Sequence, residues 1–284
     1  MATVSARARQ IGDFLRARRA GLSPTDVSLP ESGSPRRVPG LRREEVAHLA
    51  AISVDYLTRL EQGRVAASTA VIATLGVALR LGHDDRTYLS RLLRPTTGAA
   101  TRSAPSEIRP ALRRLLDQLS ETPALLLGNR MDILAWNECA TALYLDFEAL
   151  PLEQRNYVWL LFTHPAMRAL HLEWEHDARS CVAALRMESS RSPEDPQLEA
   201  LVDRLSTHSR DFARWWAEHR VSSATYGSKQ YRHPLVGRLA LDCDLWGGSE
   251  DDGQRLMVLT AESGTPSADA LRLLTSWDRT VPAP

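Results

Sequence analysis

Residues 44–64 read EEVAHLAAISVDYLTRLEQGR, and this stretch decides how the first third of the 284-residue chain folds. Two short helices that meet at a fixed steep angle need a small residue facing the partner helix, a tight turn, and apolar anchors on the second helix. Ala47 is the small contact, Ala51 and Ile52 lie in the turn, and Leu57 and Leu60 are the anchors. Ser53 stands where an N-cap is wanted and Gly63 where a left-handed stop is. Outward from this pair, Ile11, Phe14 and Leu15 form one stripe of a helix over residues 7–20 that ends at Gly21. Further helices are expected over residues 42–50, 54–62, 68–81 and 84–94, with Ser53, Ser68 and Asp84 as N-caps, making five in all. Between the first and second, residues 22–40 carry Pro24, Pro30, Gly33, Pro35, Pro39 and Gly40, and read as a long connecting arm that includes Arg36 and Arg37.

The composition, 43% apolar and 25% charged, is that of a globular chain long enough for two cores. No apolar run reaches the ~18 residues needed to span a bilayer, so no membrane partner is expected. The first twelve residues contain arginines but no apolar core after them, so a secretory signal is not expected and the reading is cytoplasmic. Cys139, Cys181 and Cys243 are odd in number and widely spaced, which fits neither a disulfide framework nor a zinc knuckle, and they read as small core residues. The net charge of zero hides a sorting by region. Residues 1–95 hold 15 Arg against 9 acids, whereas the remainder carries the compensating excess of acids. A basic first third points to a polyanion-binding module. The bias of 34 Arg to a single Lys, Lys229, carries no reading of mechanism.

Residues 95–106 are small, polar and flanked by proline, and read as a linker. Beyond it come a helix at residues 108–119, strand-like runs at 124–127 and 133–136, a helical block over 137–219, strand-like runs at 235–245 and 256–261, and a closing helix at 267–277. The expected architecture is therefore multidomain. An all-α five-helix domain over residues 1–94 is followed, after the linker, by an α+β domain with an antiparallel sheet over 107–284.

The 44–64 stretch, including the ending Leu60-Glu61-Gln62-Gly63-Arg64, resembles the helix-turn-helix of phage-repressor-type (XRE or Cro/CI) regulators. That family usually has glycine at the turn where Ala51 stands, a departure worth ~1 kcal/mol if Ala51 takes a positive φ. The resemblance implies that residues 54–62 enter the major groove of double-stranded DNA by their N-terminal end. Ser53, Val54, Asp55, Thr58 and Arg59 then face base edges: Arg59 can fork onto guanine, Asp55 can accept from cytosine, and Val54 can pack on a thymine methyl. Arg42, Arg43 and Arg64 flank the unit where phosphates pass, and Arg36 and Arg37 could follow the backbone or the minor groove. Set against this, the same pattern could be a packed helical hairpin in which Arg59 pairs with Asp55 at i,i+4.

With the C-terminal segments RPALRRLLDQL (109–119), MDILAWNECATAL (131–143), RNYVWLLF (155–162), HPLVGRL (233–239) and LTAESGTPSADALRLL (259–274) in view, nearly the whole chain resembles the MmyB-like regulators. These combine an XRE helix-turn-helix with a PAS-like ligand-binding domain. The resemblance implies a small amphipathic effector such as a fatty acid. From the residues alone, Trp136, Trp159, Phe162, Trp174, Trp215 and Trp216 are candidates to line its cavity, though such rings also fill ordinary cores. Arg155 and Asn156 are candidates for a charged mouth. Asn137 reads as a helix cap and His233 as a turn residue.

His171, Glu175 and His176 lie close together but form no HExxH, and His171 and Glu175 alone supply too few ligands for a metal site; no nucleophile elbow or phosphate-binding glycine loop occurs, so an enzyme is not expected and no cofactor is assigned. A heme or flavin needs no local motif, and that class of sensor stays open. A homodimer on a two-fold operator is expected because one such unit buries too little surface for tight specificity. The competing reading is a protein-interaction module with the second domain as scaffold.

Overall fold

The computed structural model describes residues 5–30, 40–94, 108–223, 226–247 and 253–278, which fall into two compact units. The expected linker, and Arg36 and Arg37 of the arm, lie outside the described residues.

The first unit contains α1 (Ala6–Ala20), a 3-10 turn (Thr25–Val27), α2 (Arg43–Leu49), α3 (Val54–Glu61), α4 (Thr69–Ala78) and α5 (His83–Leu93). Arg186–Pro196 and Arg214–Ser223 also belong to it, so the units are not consecutive in sequence. Phe14, Leu15, Val46, Leu57, Leu60, Leu75, Tyr88 and Leu89 are buried in one core, and Met187 joins them. At ~1.5–3 kcal/mol for each large apolar side chain fully buried, this core dominates the unit's stability.

Local chemistry sets the helix ends. Ser53 and Ser68 accept the amides of Tyr56 and Val71, as expected of N-caps. The cap of α5 is Gly82 rather than Asp84, with the Asp85 carboxylate accepting the Gly82 N–H. Three helices stop in the Schellman pattern, in which the last carbonyls are satisfied by a residue of positive φ and its successor. In α2 these bonds run from Ala51 N to His48 O and from Ile52 N to Ala47 O. Gly63 (φ 67°) ends α3 in the same way, and Arg80 (φ 50°) ends α4.

The second unit contains α6 (Pro110–Gln118), β1 (Ala124–Leu127), β2 (Ile133–Trp136), α7 (Glu138–Leu143), α8 (Tyr157–Thr163), α9 (Pro165–Leu170), most of α10 (Trp174–Ser189), α11 (Pro196–His208), the start of α12 (Arg210–Ala217), β3 (Tyr226–His233), β4 (Gly237–Gly247), β5 (Arg255–Thr260) and α13 (Pro266–Asp278). The five strands pair antiparallel in the order β2-β1-β5-β4-β3, giving the expected α+β class. Strand β1, all apolar, sits between β2 and β5 and is buried throughout. Along β4, Leu239, Leu241 and Cys243 are buried while Arg238, Ala240 and Asp242 face out, the period of two that a half-buried strand requires.

Strand β3 (YGSKQYRH) is an addition to the expected runs. It is an edge strand whose residues are mostly polar, so it shows no apolar alternation in the sequence. The helical block expected over 137–219 is divided into α7 to α12, broken at Pro151, Pro165 and Pro196. Among the described residues no helix is long and apolar enough to cross a membrane.

Candidate functional site

In the first unit, α3 is held from beneath and open above. Leu57 and Leu60 are buried, whereas Val54 is 38% exposed and the side chains of Asp55 and Arg59 are 79% and 51% exposed. Ser53 is exposed with its oxygen accepting Tyr56 N–H, and the Thr58 hydroxyl donates to Val54 O at 2.8 Å. Arg59 and Asp55 do form the i,i+4 pair, at 3.7 Å. So exposed a pair contributes only ~0–1 kcal/mol and does not sequester the guanidinium. Arg42 and Arg64 are exposed.

Arg43 differs from its sequence reading: its Nε donates to Glu61 Oε2 at 2.7 Å, so it is partly committed to the fold. The same carboxylate accepts Arg19 Nε at 2.6 Å and Nη2 at 3.2 Å. Glu61, buried at the end of α3, thus clamps that helix to α1 and α2, a role that sequence reasoning missed. Close approach also depends on Gly12, where a Cβ would lie 2.6 Å from Glu61 O and 2.7 Å from Leu60 O. Ala51 has φ 53°, the strained value that its place in the turn demands.

The second unit holds a half-open cavity of about 370 Å³, within the ~300–1,000 Å³ range of small-molecule sites. Leu127, Met131, Leu245 and Met257 supply apolar walls, and His176, Asp177, Ser180, Cys181, Ser228 and Lys229 its polar part. Lys229 Nζ donates to Asp177 Oδ1 at 3.0 Å, and His171 Nδ1 donates to Asp177 Oδ2 at 2.7 Å. Burial alone would lower the Lys229 ammonium, but the charges of Cys181, Asp177 and Cys243 reverse the sign and hold it above its ordinary range. Burial pushes the Cys181 and Cys243 thiols up to about 11 against the pull of Lys229, so they are neutral near pH 7 and Asp177 is the counter-charge that operates there. Burial would raise Asp177, yet the His171 hydrogen bond and Lys229 bring it below the usual carboxylate range. Burial outweighs Asp177 at His171 and lowers it, leaving a neutral imidazole near pH 7. With both oxygens of Asp177 engaged, Lys229 keeps N–H donors for a ligand.

None of the aromatic residues expected to line a cavity borders this one. Several are capped by arginines instead: Arg155 over Trp136, Arg204 over Trp159 and Arg168 over Trp174 in the second unit, and Arg186 over Trp216 in the first. Phe162 packs edge-on against Trp174 and Phe212, and Trp215 is buried. Arg155 donates to the Leu150 and Glu148 carbonyls, and Asn156 caps α8 while its amide binds Arg130 O and Asp132. These pairings hold loops in place rather than form a charged mouth. Asn137 caps α7 and His233 Nδ1 accepts Leu235 N–H in the β3–β4 turn, as expected. The signal that could have led to the cavity, though the sequence reading drew nothing from it, is that Lys229 is the only lysine in the chain.

A family model described as MmyB-like transcription regulator ligand binding domain matches residues 108–274, and one described as Helix-turn-helix domain matches residues 10–89. A search of curated proteins found no match. The first match spans more than half of the chain and the second spans the open α3 and its clamp, so the chain belongs to the MmyB-like transcription regulators, DNA-binding proteins with a ligand-sensing domain.

Proposed function

We propose that the protein is a cytoplasmic, non-catalytic regulator that binds a two-fold operator as a homodimer and changes its DNA affinity when a small amphipathic acid, such as a fatty acid, enters the second-unit cavity. The observation that carries the ligand reading is one buried ammonium, Lys229, paired to Asp177 beside the apolar walls of the cavity. An apolar chain buries ~25 cal/mol per Å² along Leu127, Met131 and Met257, and the carboxylate takes the free N–H donors of Lys229. On the DNA side, Ser53, Val54, Asp55, Thr58 and Arg59 read bases from the open end of α3. Arg42 and Arg64 bind phosphates, Arg43 contributes with the donors that Glu61 leaves it, and Arg36 and Arg37 extend the contact along the backbone. Two copies bind half-sites ~34 Å apart.

Fluorescence anisotropy with a labelled duplex from upstream of the protein's own gene tests both halves. Arg59→Ala is expected to weaken binding by ~1–3 kcal/mol, and saturating decanoate to shift the affinity of the native protein but not of Lys229→Met. An affinity that decanoate leaves unchanged, or a duplex bound equally by native protein and Arg59→Ala, would refute the corresponding half.

A further inference from the structure

Strand register puts Gly227 between Lys229 and the apolar walls of the cavity. Strand β4 gives the order: Leu241 pairs with Lys229 of β3, Cys243 pairs with Gly227, and Leu245 pairs with Met257 of β5. Residues two apart on a strand share a face, as do directly paired ones, so Lys229, Gly227, Cys243, Leu245 and Met257 lie together on the sheet face that borders the cavity. At ~3.4 Å per residue the levels of Lys229 and Leu245 are about 14 Å apart along the sheet, with Gly227 and Cys243 midway. The cavity also opens here. Its exposed lining residues are His176 and Ser180, one turn apart on α10, and Gly227 and Ser228 on β3.

Nothing in the backbone asks for glycine at this position. Gly227 is not among the residues of positive φ, and a Cβ on it would meet no atom of the other described residues within 4 Å, whereas at Gly12 the same carbon would lie 2.6 Å from Glu61 O. Glycine within a strand gives up packing and backbone order, and it marks places where a ligand or another backbone comes close. No other described backbone comes that close, which leaves the ligand as the reason. We infer that Gly227 is the residue that sets which acids the cavity admits. The carbons next to the acid group cross its bare backbone on the way from Lys229 to Leu245 and Met257, and a side chain at 227 would occupy their path. This rests on the reading of Lys229 as the acid anchor.

Calorimetric titration of the full chain with decanoate, in the native protein and in Gly227→Ala, Gly227→Val and Gly227→Leu, tests it. Hydrogen-exchange protection of the β3 and β4 amides reports the fold of each variant alongside. The expected result is a graded loss of affinity: under about threefold for alanine, about threefold to tenfold for valine, and tenfold or more for leucine, the range that overpacking a filled site produces. Exchange protection stays at the native level, because the added carbons enter open space. If the native protein binds decanoate and Gly227→Leu binds it within about twofold, the inference is overturned while the acid anchor stands. If leucine disturbs the sheet, the ranking of native, alanine and valine decides, and equal affinities among the three overturn the inference. Lost protection in Gly227→Ala also overturns it, since the space would then not be open. If the native protein does not bind decanoate, the inference and the acid anchor fall together.

Discussion

Replacing Glu61 by alanine should cost the DNA-binding unit about 3–4 kcal/mol. The Glu61 carboxylate is 1% exposed and receives Arg19 Nε, Arg19 Nη2 and Arg43 Nε. Hydrogen bonds to charged groups contribute ~1.5–3 kcal/mol when buried. The Arg19 pair is of that kind, because its guanidinium is itself only 15% exposed. The Arg43 pair is worth less than ~1 kcal/mol, since solvent screens a side chain so open. Alanine leaves Arg19 buried beside nothing but the Leu41 carbonyl, which its Nη1 still reaches at 2.8 Å. Glu61→Gln keeps the volume and one acceptor, and should cost about half as much.

Because the chain has two compact units, a single unfolding transition is not the right measure. Native-state hydrogen exchange of α1 and α3 amides, alongside urea unfolding, isolates the unit concerned. The double variant Arg19→Leu with Glu61→Leu should recover part of the loss, because removing both partners leaves no uncompensated charge. A loss below ~1 kcal/mol in Glu61→Ala would show that the clamp does not hold α3, and the reasoning would fail.

Three further outcomes follow from the same unit. Gly12→Ala would drive a Cβ into the Leu60 and Glu61 carbonyls, so α1 and α3 must separate, with a loss of ~1–3 kcal/mol visible as weaker hydrogen-exchange protection of their amides. Ala51→Gly should instead stabilise by ~0.5–1 kcal/mol, since φ 53° is costly for alanine and free for glycine; weaker exchange protection of the α2 and α3 amides would contradict that. The His219 imidazole is lowered to about 3, first by burial and then by Arg186, Arg16 and Arg18. The unfolded chain takes up this proton near pH 6.5 and the folded chain does not, so stability is complete above that pH and falls as the pH drops toward 3. Allowing for partial solvent exposure, about 1–2 kcal/mol is lost between pH 7 and pH 5, and His219→Gln should flatten that limb in pH-dependent urea midpoints.

The helix-turn-helix was legible from residue order alone because everything that shapes it acts within a few positions along the chain. Ser53 caps its own helix, Ala51 and Gly63 close theirs, and Leu57 and Leu60 recur at helical spacing. The α+β class was legible for the same reason, apart from β3, whose polar residues show no alternation. The second-unit cavity was not. Its walls come from β1, α8, α10, β3, β4 and β5, brought together by a strand order that sets β1 against β5, and no local pattern encodes such long-range pairing. The tryptophans carry no assignment by themselves because a large ring is equally content against a ligand or under an arginine, and only the packed structure places Arg204 on Trp159 and Arg168 on Trp174. Glu61 and Lys229 share this lesson: a charge declares its purpose only when folding removes it from water and supplies the partner that makes its burial tolerable.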